Sequence, residues 1–153
     1  MRVFIALGSN LGNGEVNLSQ AIERINKIYP VVTRSTIIST KAKYIENQPD
    51  FYNQVIEVVG HGTARQMLMF LNQVETAMGR VRTIKYGPRI IDLDIIFFGD
   101  MIIKEDGLII PHPSMYERDF VLTPLCEIAP EICCPLTNLT IRDLVVRLHE
   151  QKH

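Results

Sequence analysis

Apolar and polar positions alternate or recur in ways that divide the chain into successive elements. Arg2–Leu7 (RVFIAL) is a compact apolar run and predicts a buried strand. It ends in Gly8–Gly14 (GSNLGNG), a stretch of turn residues. Leu18, Ala21, Ile22, Ile25 and Ile28 then recur at helical spacing, with Asn13 or Asn17 as the cap and Pro30 as the stop. Val31–Ser39 is β-branched and predicts a second strand, and the polar Thr40–Pro49 an irregular loop. Phe51–Val59 predicts a third strand, with Phe51, Asn53, Val55 and Glu57 on one face and Tyr52, Gln54, Ile56 and Val58 on the other.

Thr63 with Gln66 forms a capping-box pattern ahead of a helix whose stripe is Met67, Leu68, Leu71, Val74 and Met78. Gly79 is its natural stop. Ile90–Phe98 is apolar on both faces apart from Asp92 and Asp94, which predicts a central strand. Met101–Ile103 and Leu108–Ile110 flank a turn ending in Asp106-Gly107, a hairpin signal. Ser114–Cys126 predicts a helix broken near Pro124, and Thr140 with Asp143 opens a last helix. The order β-α-β-β-α-β followed by a hairpin and helices predicts an α+β, ferredoxin-like sandwich: a mainly antiparallel sheet flanked by helices.

The segment with chemistry in it is Gly79–Gly99. A basic loop carrying Arg80, Arg82, Lys85 and Arg89 leads into the strand with Asp92 and Asp94. Two residues apart on a strand, the aspartates share a face, with Cα atoms roughly 6.5–7 Å apart. Burying both as free charges is costly. Either a structural aspartate–arginine network or a metal–phosphate site would offset that cost. The second combines the carboxylates Mg²⁺ prefers with the arginine forks that grip phosphate. Elsewhere, too, alternatives stay open. Gly8–Gly14 is either a phosphate cradle or a tight strand-to-helix turn. Phe51 and Asn53 could stack a flat heterocycle and bond its edge, or be an aromatic core residue beside a strand-end amide. His112, fixed between two prolines, is a ligand contact or a surface histidine.

At 153 residues and 46% hydrophobic, the chain fits one domain, 1–153. Sixteen basic and seventeen acidic residues give a formal charge of −1, which argues against a nucleic-acid binder. The positive charge is local and points to a small anion. Cys126, Cys133 and Cys134 show no disulfide or zinc spacing, so free thiols in a reducing cytoplasm are expected. No signal peptide or membrane-length apolar run is present, so no membrane partner is expected. Two other readings of the aspartate pair are a metal-dependent phosphohydrolase or nuclease, and a non-catalytic ligand-binding module.

The run Lys85-Tyr86-Gly87-Pro88-Arg89-Ile90-Ile91-Asp92-Leu93-Asp94 resembles the signature of the 6-hydroxymethyl-7,8-dihydropterin pyrophosphokinases (HPPK). The resemblance extends through Ile5–Gly12, Gln48–Asn53, Gly79–Arg82, Ile110–Pro113 and Glu117–Leu122 to Glu127–Pro130. It implies transfer of the β,γ-diphosphate of ATP to the hydroxymethyl group of a reduced pterin, for folate biosynthesis. It also implies two Mg²⁺ ions on Asp92 and Asp94, and a monomer. By the same resemblance Arg80 and Arg89 are catalytic, and Arg82 and Lys85 belong to a loop that closes over the nucleotide. Tyr86 stands where many members have Trp and keeps an aromatic there. Phe51 and Phe120 would stack the pterin from opposite sides and Asn53 read its edge, with Thr40 and Lys43 on the adjoining loop. Asn72, Glu75, His112 and Arg118 match positions on the nucleotide side.

Overall fold

The structure is a computed structural model that describes residues 1–40, 50–80 and 89–151. Lys43, Arg82, Lys85 and Tyr86 lie outside the described residues, as does the body of the expected 40–49 loop.

The main sheet contains β1 (Arg2–Ser9), β2 (Val31–Arg34), β3 (Ile38–Thr40), β4 (Phe51–Val59) and β5 (Asp92–Phe98). Its order is β2-β4-β1-β5, with β3 also paired to β4, and every pairing is antiparallel. This is the expected α+β arrangement. Helices α1 (Gly14–Asn26) and α2 (Ala64–Ala77) cover one face. Leu18, Ala21, Ile22 and Ile25 of α1 meet Met67, Leu71 and Val74 of α2 over Val3, Ile5, Ile56, Val58, Leu93 and Ile95. Both helices start as their caps dictate. Asn13 accepts from the Val16 N–H, and Thr63 and Gln66 close a reciprocal capping box. Helix α1 ends at Asn26, so Ile28 falls past it and is exposed.

A β-α-β-β-α-β unit alone would leave its other sheet face open. Here α3 (Asp119–Ile128) and α4 (Ile141–Gln151) cover it. Val121, Leu122 and Leu125 with Ile141, Leu144 and Leu148 pack over Phe4, Ala6, Val55, Ile96 and Phe97. Helix α3 runs unbroken through Pro124, contrary to the expected break, and is preceded by a 3₁₀ turn, Met115–Glu117. A proline six residues into a ten-residue helix removes one backbone donor without ending so short an element. The hairpin of β6 (Ile103–Glu105) and β7 (Leu108–Ile110) forms a separate two-stranded sheet turning at Gly107, whose φ of 74° suits glycine.

Two further expectations are corrected. The 31–39 run is two strands rather than one. At the corner between them, Ser35 is pinned by Gln54 Nε2, which donates to its carbonyl, and by the Val55 N–H, which donates to its Oγ. Strand β5 is not central; it ends the sheet order. It is apolar on both sides because each face is covered by a different helix pair, which a sequence pattern cannot distinguish from a central position. A bulge also breaks its alternation. Phe4 pairs with Phe97 but Ile5 pairs with Ile95, leaving Ile96 extra. Phe97 therefore joins Phe4 under α3 and α4, while Phe98 turns to the α1–α2 side.

Candidate active site

Upstream of that bulge the alternation holds, and it assembles the site. Gly8 pairs with Asn53 on one side and Asp92 on the other. Ala6 pairs likewise with Val55 and Asp94. Directly paired residues share a face. Asn53, Asp92 and Asp94 therefore all project from the face that carries Ala6 and Val55, and Phe51 joins them two residues before Asn53. Helix α3 begins beside the same face and supplies Arg118 and Phe120, with the guanidinium carbon 5.6 Å from the Phe120 ring centre.

Gly8 leaves room for the platform. A Cβ there would lie 3.1 Å from Asn53 Oδ1 and 3.9 Å from the Phe51 ring. Asn53 is 6% exposed, and its Nδ2 donates to Thr40 Oγ1 at 3.0 Å. Phe51 and Phe120 are each half-buried, and the Arg118 guanidinium stands over the Phe120 ring.

The acidic half is asymmetric. Both oxygens of Asp92 are engaged: Arg80 Nη1 donates to Oδ1 at 2.9 Å and Arg89 Nη1 to Oδ2 at 3.2 Å. Asp94 faces His112, whose Nε2 stands 3.8 Å from Oδ1. The Ser114 N–H donates to His112 Nδ1 at 3.2 Å, so the neutral ring carries its proton on Nε2, toward Asp94. Desolvation first, and Asp92 second, push the Asp94 carboxyl up to about 7, against the opposing pull of Arg118 and Arg80. Burial and Arg118 hold His112 below the usual imidazole range.

Glu75 holds other residues of the site in place. It is 3% exposed and points inward from α2. Its Oε2 accepts both the Leu93 N–H at 2.8 Å and Arg80 Nη1 at 2.5 Å. It thus ties α2 to β5 and holds Arg80 on Asp92. Asn72, one turn earlier, is exposed instead. With Gln73, Thr76 and Ala77 it lines an open hollow of about 370 Å³. Three positions apart on the helix, Asn72 meets solvent and Glu75 meets the sheet.

The Gly8–Gly14 loop resolves toward the turn. The Asn10 and Leu11 N–H groups, which a phosphate cradle would need, donate to the Arg89 carbonyl at 2.9 and 3.1 Å. Sequence reasoning assigned no role to this clasp, because the partners are 79 residues apart.

The two aspartates fit a hard cation. Among the described residues no three His, Cys, Asp or Glu side chains gather to hold an ion. Mg²⁺, however, needs only one or two carboxylates and leaves its remaining positions to water and phosphate. Burial and then the nearby Asp92 raise the Asp94 carboxyl, and a cation held between the aspartates would favour its charged form.

Comparisons with known proteins agree with this geometry. The family model for 7,8-dihydro-6-hydroxymethylpterin-pyrophosphokinase matches residues 4–130. The chain belongs to the HPPK family. It is 38% identical to the 2-amino-4-hydroxy-6-hydroxymethyldihydropteridine pyrophosphokinase of Bacillus subtilis over 151 residues, 97% of this chain and 90% of that protein. It is 44% identical to a folic acid synthesis protein of Pneumocystis carinii over 140 residues, 91% of this chain but 19% of that protein. A similar one in Dictyostelium discoideum is 40% identical, again with only 22% of its length covered. The chain thus spans about a fifth of these two eukaryotic relatives. Among solved structures, a crystal structure of HPPK-DHPS in complex with substrates aligns with TM-score 0.81 at 16% identity, over 99% of this chain and 44% of that one. That likeness concerns the fold. The expected family and α+β class are borne out, and HPPKs are ATP-dependent pyrophosphokinases of folate synthesis.

Proposed function

We propose that this chain, acting as one unit over residues 1–153, transfers the β,γ-diphosphate of ATP to the hydroxymethyl oxygen of 6-hydroxymethyl-7,8-dihydropterin. The pterin oxygen forms a bond to the β-phosphorus as the bond from that phosphorus to the α,β-bridging oxygen breaks. AMP leaves, and the hydroxyl proton passes to solvent or to an Asp oxygen at the site. The observation that supports this most is the row Asn53–Gly8–Asp92, which sets an amide-and-aromatic platform on β4 and the acidic pair on β5 either side of β1, on a single face.

Phe51 and Phe120 stack the pterin and Asn53 reads its edge, with Thr40 and Lys43 on the adjoining stem and loop. Asp92 and Asp94 would hold two Mg²⁺ ions, whose charge, when bound, would neutralise the triphosphate and polarise the reacting phosphoryl group. Arg80 and Arg89 hold Asp92 in place and offer their remaining donors to phosphate oxygens. Arg118 and His112 flank the phosphates beside Asp94. Asn72, Arg82, Lys85 and Tyr86 belong to the nucleotide side. Glu75 acts there only through Arg80. A loose phosphoryl transition state needs positioning and charge neutralisation more than a strong base, which suits a site rich in arginine.

The protein works as a cytoplasmic monomer in this reading, in keeping with the finding that no described helix is long and apolar enough to cross a membrane. Incubation with Mg-ATP and the reduced pterin tests the reading. AMP and the pterin diphosphate should appear in equal amounts. Release of ADP, or nucleotide turnover without pterin, would refute it.

A further inference from the structure

We infer that Asn10 is a positioning residue for the transfer reaction, acting through Arg89. The inference rests on the reading of Arg89 as a phosphate-contacting arginine. Registered pairing between β1 and β5 stops at Gly8 and Asp92. Beyond it, the two chains continue to hold each other through a clasp. The Arg89 N–H donates to Asn10 Oδ1 at 2.7 Å, while the Asn10 and Leu11 N–H groups donate to the Arg89 carbonyl at 2.9 and 3.1 Å. A side-chain oxygen takes the place of the backbone carbonyl that a regular ladder would have offered.

The clasp is buried and braced. Ser9 is 0% exposed and Asn10 2%. Behind them Asn17 of α1 donates from Nδ2 to Ser9 Oγ at 3.1 Å and to the Leu11 carbonyl at 2.8 Å. The loop that carries Asn10 is therefore fixed to the first helix, and Arg89 is fixed to the loop. Both backbone polar groups of Arg89 are used, leaving its side chain, 26% exposed, to reach Asp92 Oδ2.

This matters because Arg89 stands where two demands meet. Its backbone must sit three residues before Asp92 without strand pairing to guide it. Its guanidinium must meet phosphate oxygens in one orientation. An amide at position 10 meets the first demand at an uncharged site, so the electrostatics around Asp92 are unaltered. A reacting geometry displaced by about 1 Å can cost on the order of a hundredfold in rate. Loss of the Oδ1 acceptor takes the partner from the Arg89 N–H in a partly buried place and releases that geometry.

A double-mutant cycle on the full chain tests this, with kcat and the pterin KM measured for the wild type, Asn10→Ala, Arg89→Ala and the double variant. Arg89→Ala with undiminished activity would refute the reading of Arg89 itself, and that outcome is separate from any result at position 10. The inference expects Asn10→Ala to lower kcat about ten- to a hundredfold, with pterin KM within about twofold, and to add less than about twofold once Arg89 is gone. An equal fold-loss in both backgrounds, or no loss in the wild-type background, overturns it. If Asn10→Ala does not fold, Asn10→Ser replaces it in the same cycle. Serine keeps a polar side chain in the loop but is one bond too short to bring its oxygen to the Arg89 N–H.

Discussion

Asn53 and Asp92 face each other across Gly8, one paired to it from each neighbouring strand. The ligand-reading amide and the acidic pair are thus joined by a residue with no side chain. Gly8 does not need glycine for its backbone, since it is absent from the positive-φ residues. It needs glycine for space. Gly8→Ala would bring a methyl group to 3.1 Å from Asn53 Oδ1, so Asn53 must give way by a few tenths of an ångström. We expect the pterin KM to rise about tenfold, equivalent to about 1.4 kcal/mol, with nucleotide affinity little changed. Titration of each substrate separately checks this. Equal weakening of both would mean that Gly8 serves the fold rather than the platform.

Asp94 is expected to lower the stability of the metal-free protein. It is half-buried beside Asp92, with Glu75 adding to the repulsion and Arg118 and Arg80 opposing it, and its carboxyl is pushed up to about 7. His112 is the other titratable group facing it. Between the unfolded carboxyl's value near 4 and 7, the folded chain holds a proton that the unfolded chain has released. Stability of the metal-free protein therefore falls as pH rises through that window. With 36% of the Asp94 side chain exposed, screening keeps the effect to on the order of 1 kcal/mol. Asp94→Asn should remove this slope in chelator-treated samples and raise Tm at pH 8 by about 2–4 °C, while lowering kcat by about a thousandfold. Thermal melts across pH 4–8, with and without Mg²⁺, decide the matter. A slope unchanged in Asp94→Asn would assign it to another group.

The two arginines on Asp92 should differ sharply in what they do for stability. Arg80 is 10% exposed and bonded to Glu75, itself 5% exposed in its side chain. Arg89 is 26% exposed and its guanidinium meets Asp92. Removing one member of a buried pair strands the other, at about 3–5 kcal/mol. Removing a partly exposed one costs under about 1 kcal/mol. Arg80→Ala should therefore lose both activity and stability, and Arg89→Ala mainly activity. Urea denaturation separates them. Glu75→Gln should fall between, because the Leu93 N–H keeps an acceptor and Arg80, losing the Glu75 charge, still pairs with Asp92.

Local pattern carried much of this structure. The helix stripes, the caps at Asn13 and Thr63, the reciprocal bonds of Thr140 and Asp143, and the shared face of Asp92 and Asp94 all depend on residues a few positions apart. Such relations follow from periods of 2 and 3.6 and from donors that must be capped. What the pattern concealed depends on partners far along the chain. The edge position of β5 is set by which strands pair, and the Ile96 bulge by its fit to β1. Glu75 looks like any helix-surface acid until Leu93 and Arg80 arrive beside it. Asn10 looks like a turn residue until Arg89 closes on it from 79 positions away. Nothing within one window of sequence distinguishes an asparagine that ends a strand from one that holds another strand's first arginine.

Glu127 offers a test of how the pterin side is held. It lies near the end of α3, whose first residues include Phe120. Its carboxylate accepts the Thr36 N–H at 3.1 and 3.0 Å and Thr36 Oγ1 at 2.9 Å, fastening the corner between β2 and β3. From that corner β3 runs directly to Thr40, which accepts from Asn53. One helix therefore sets the distance between the Phe120 ring and the Thr40–Asn53 pair. The bonds are exposed, so their loss should cost only about 1–2 kcal/mol of stability. The larger consequence is expected in binding, where the two sides of the pterin site would no longer be held at a fixed spacing. Glu127→Ala should raise the pterin KM about fivefold to tenfold, with ATP binding little changed, because nothing on the Asp92 side depends on Thr36. Glu127→Gln keeps an oxygen for Thr36 and should recover most of the loss. If both variants weaken ATP and pterin alike, the Glu127–Thr36 tie serves stability alone.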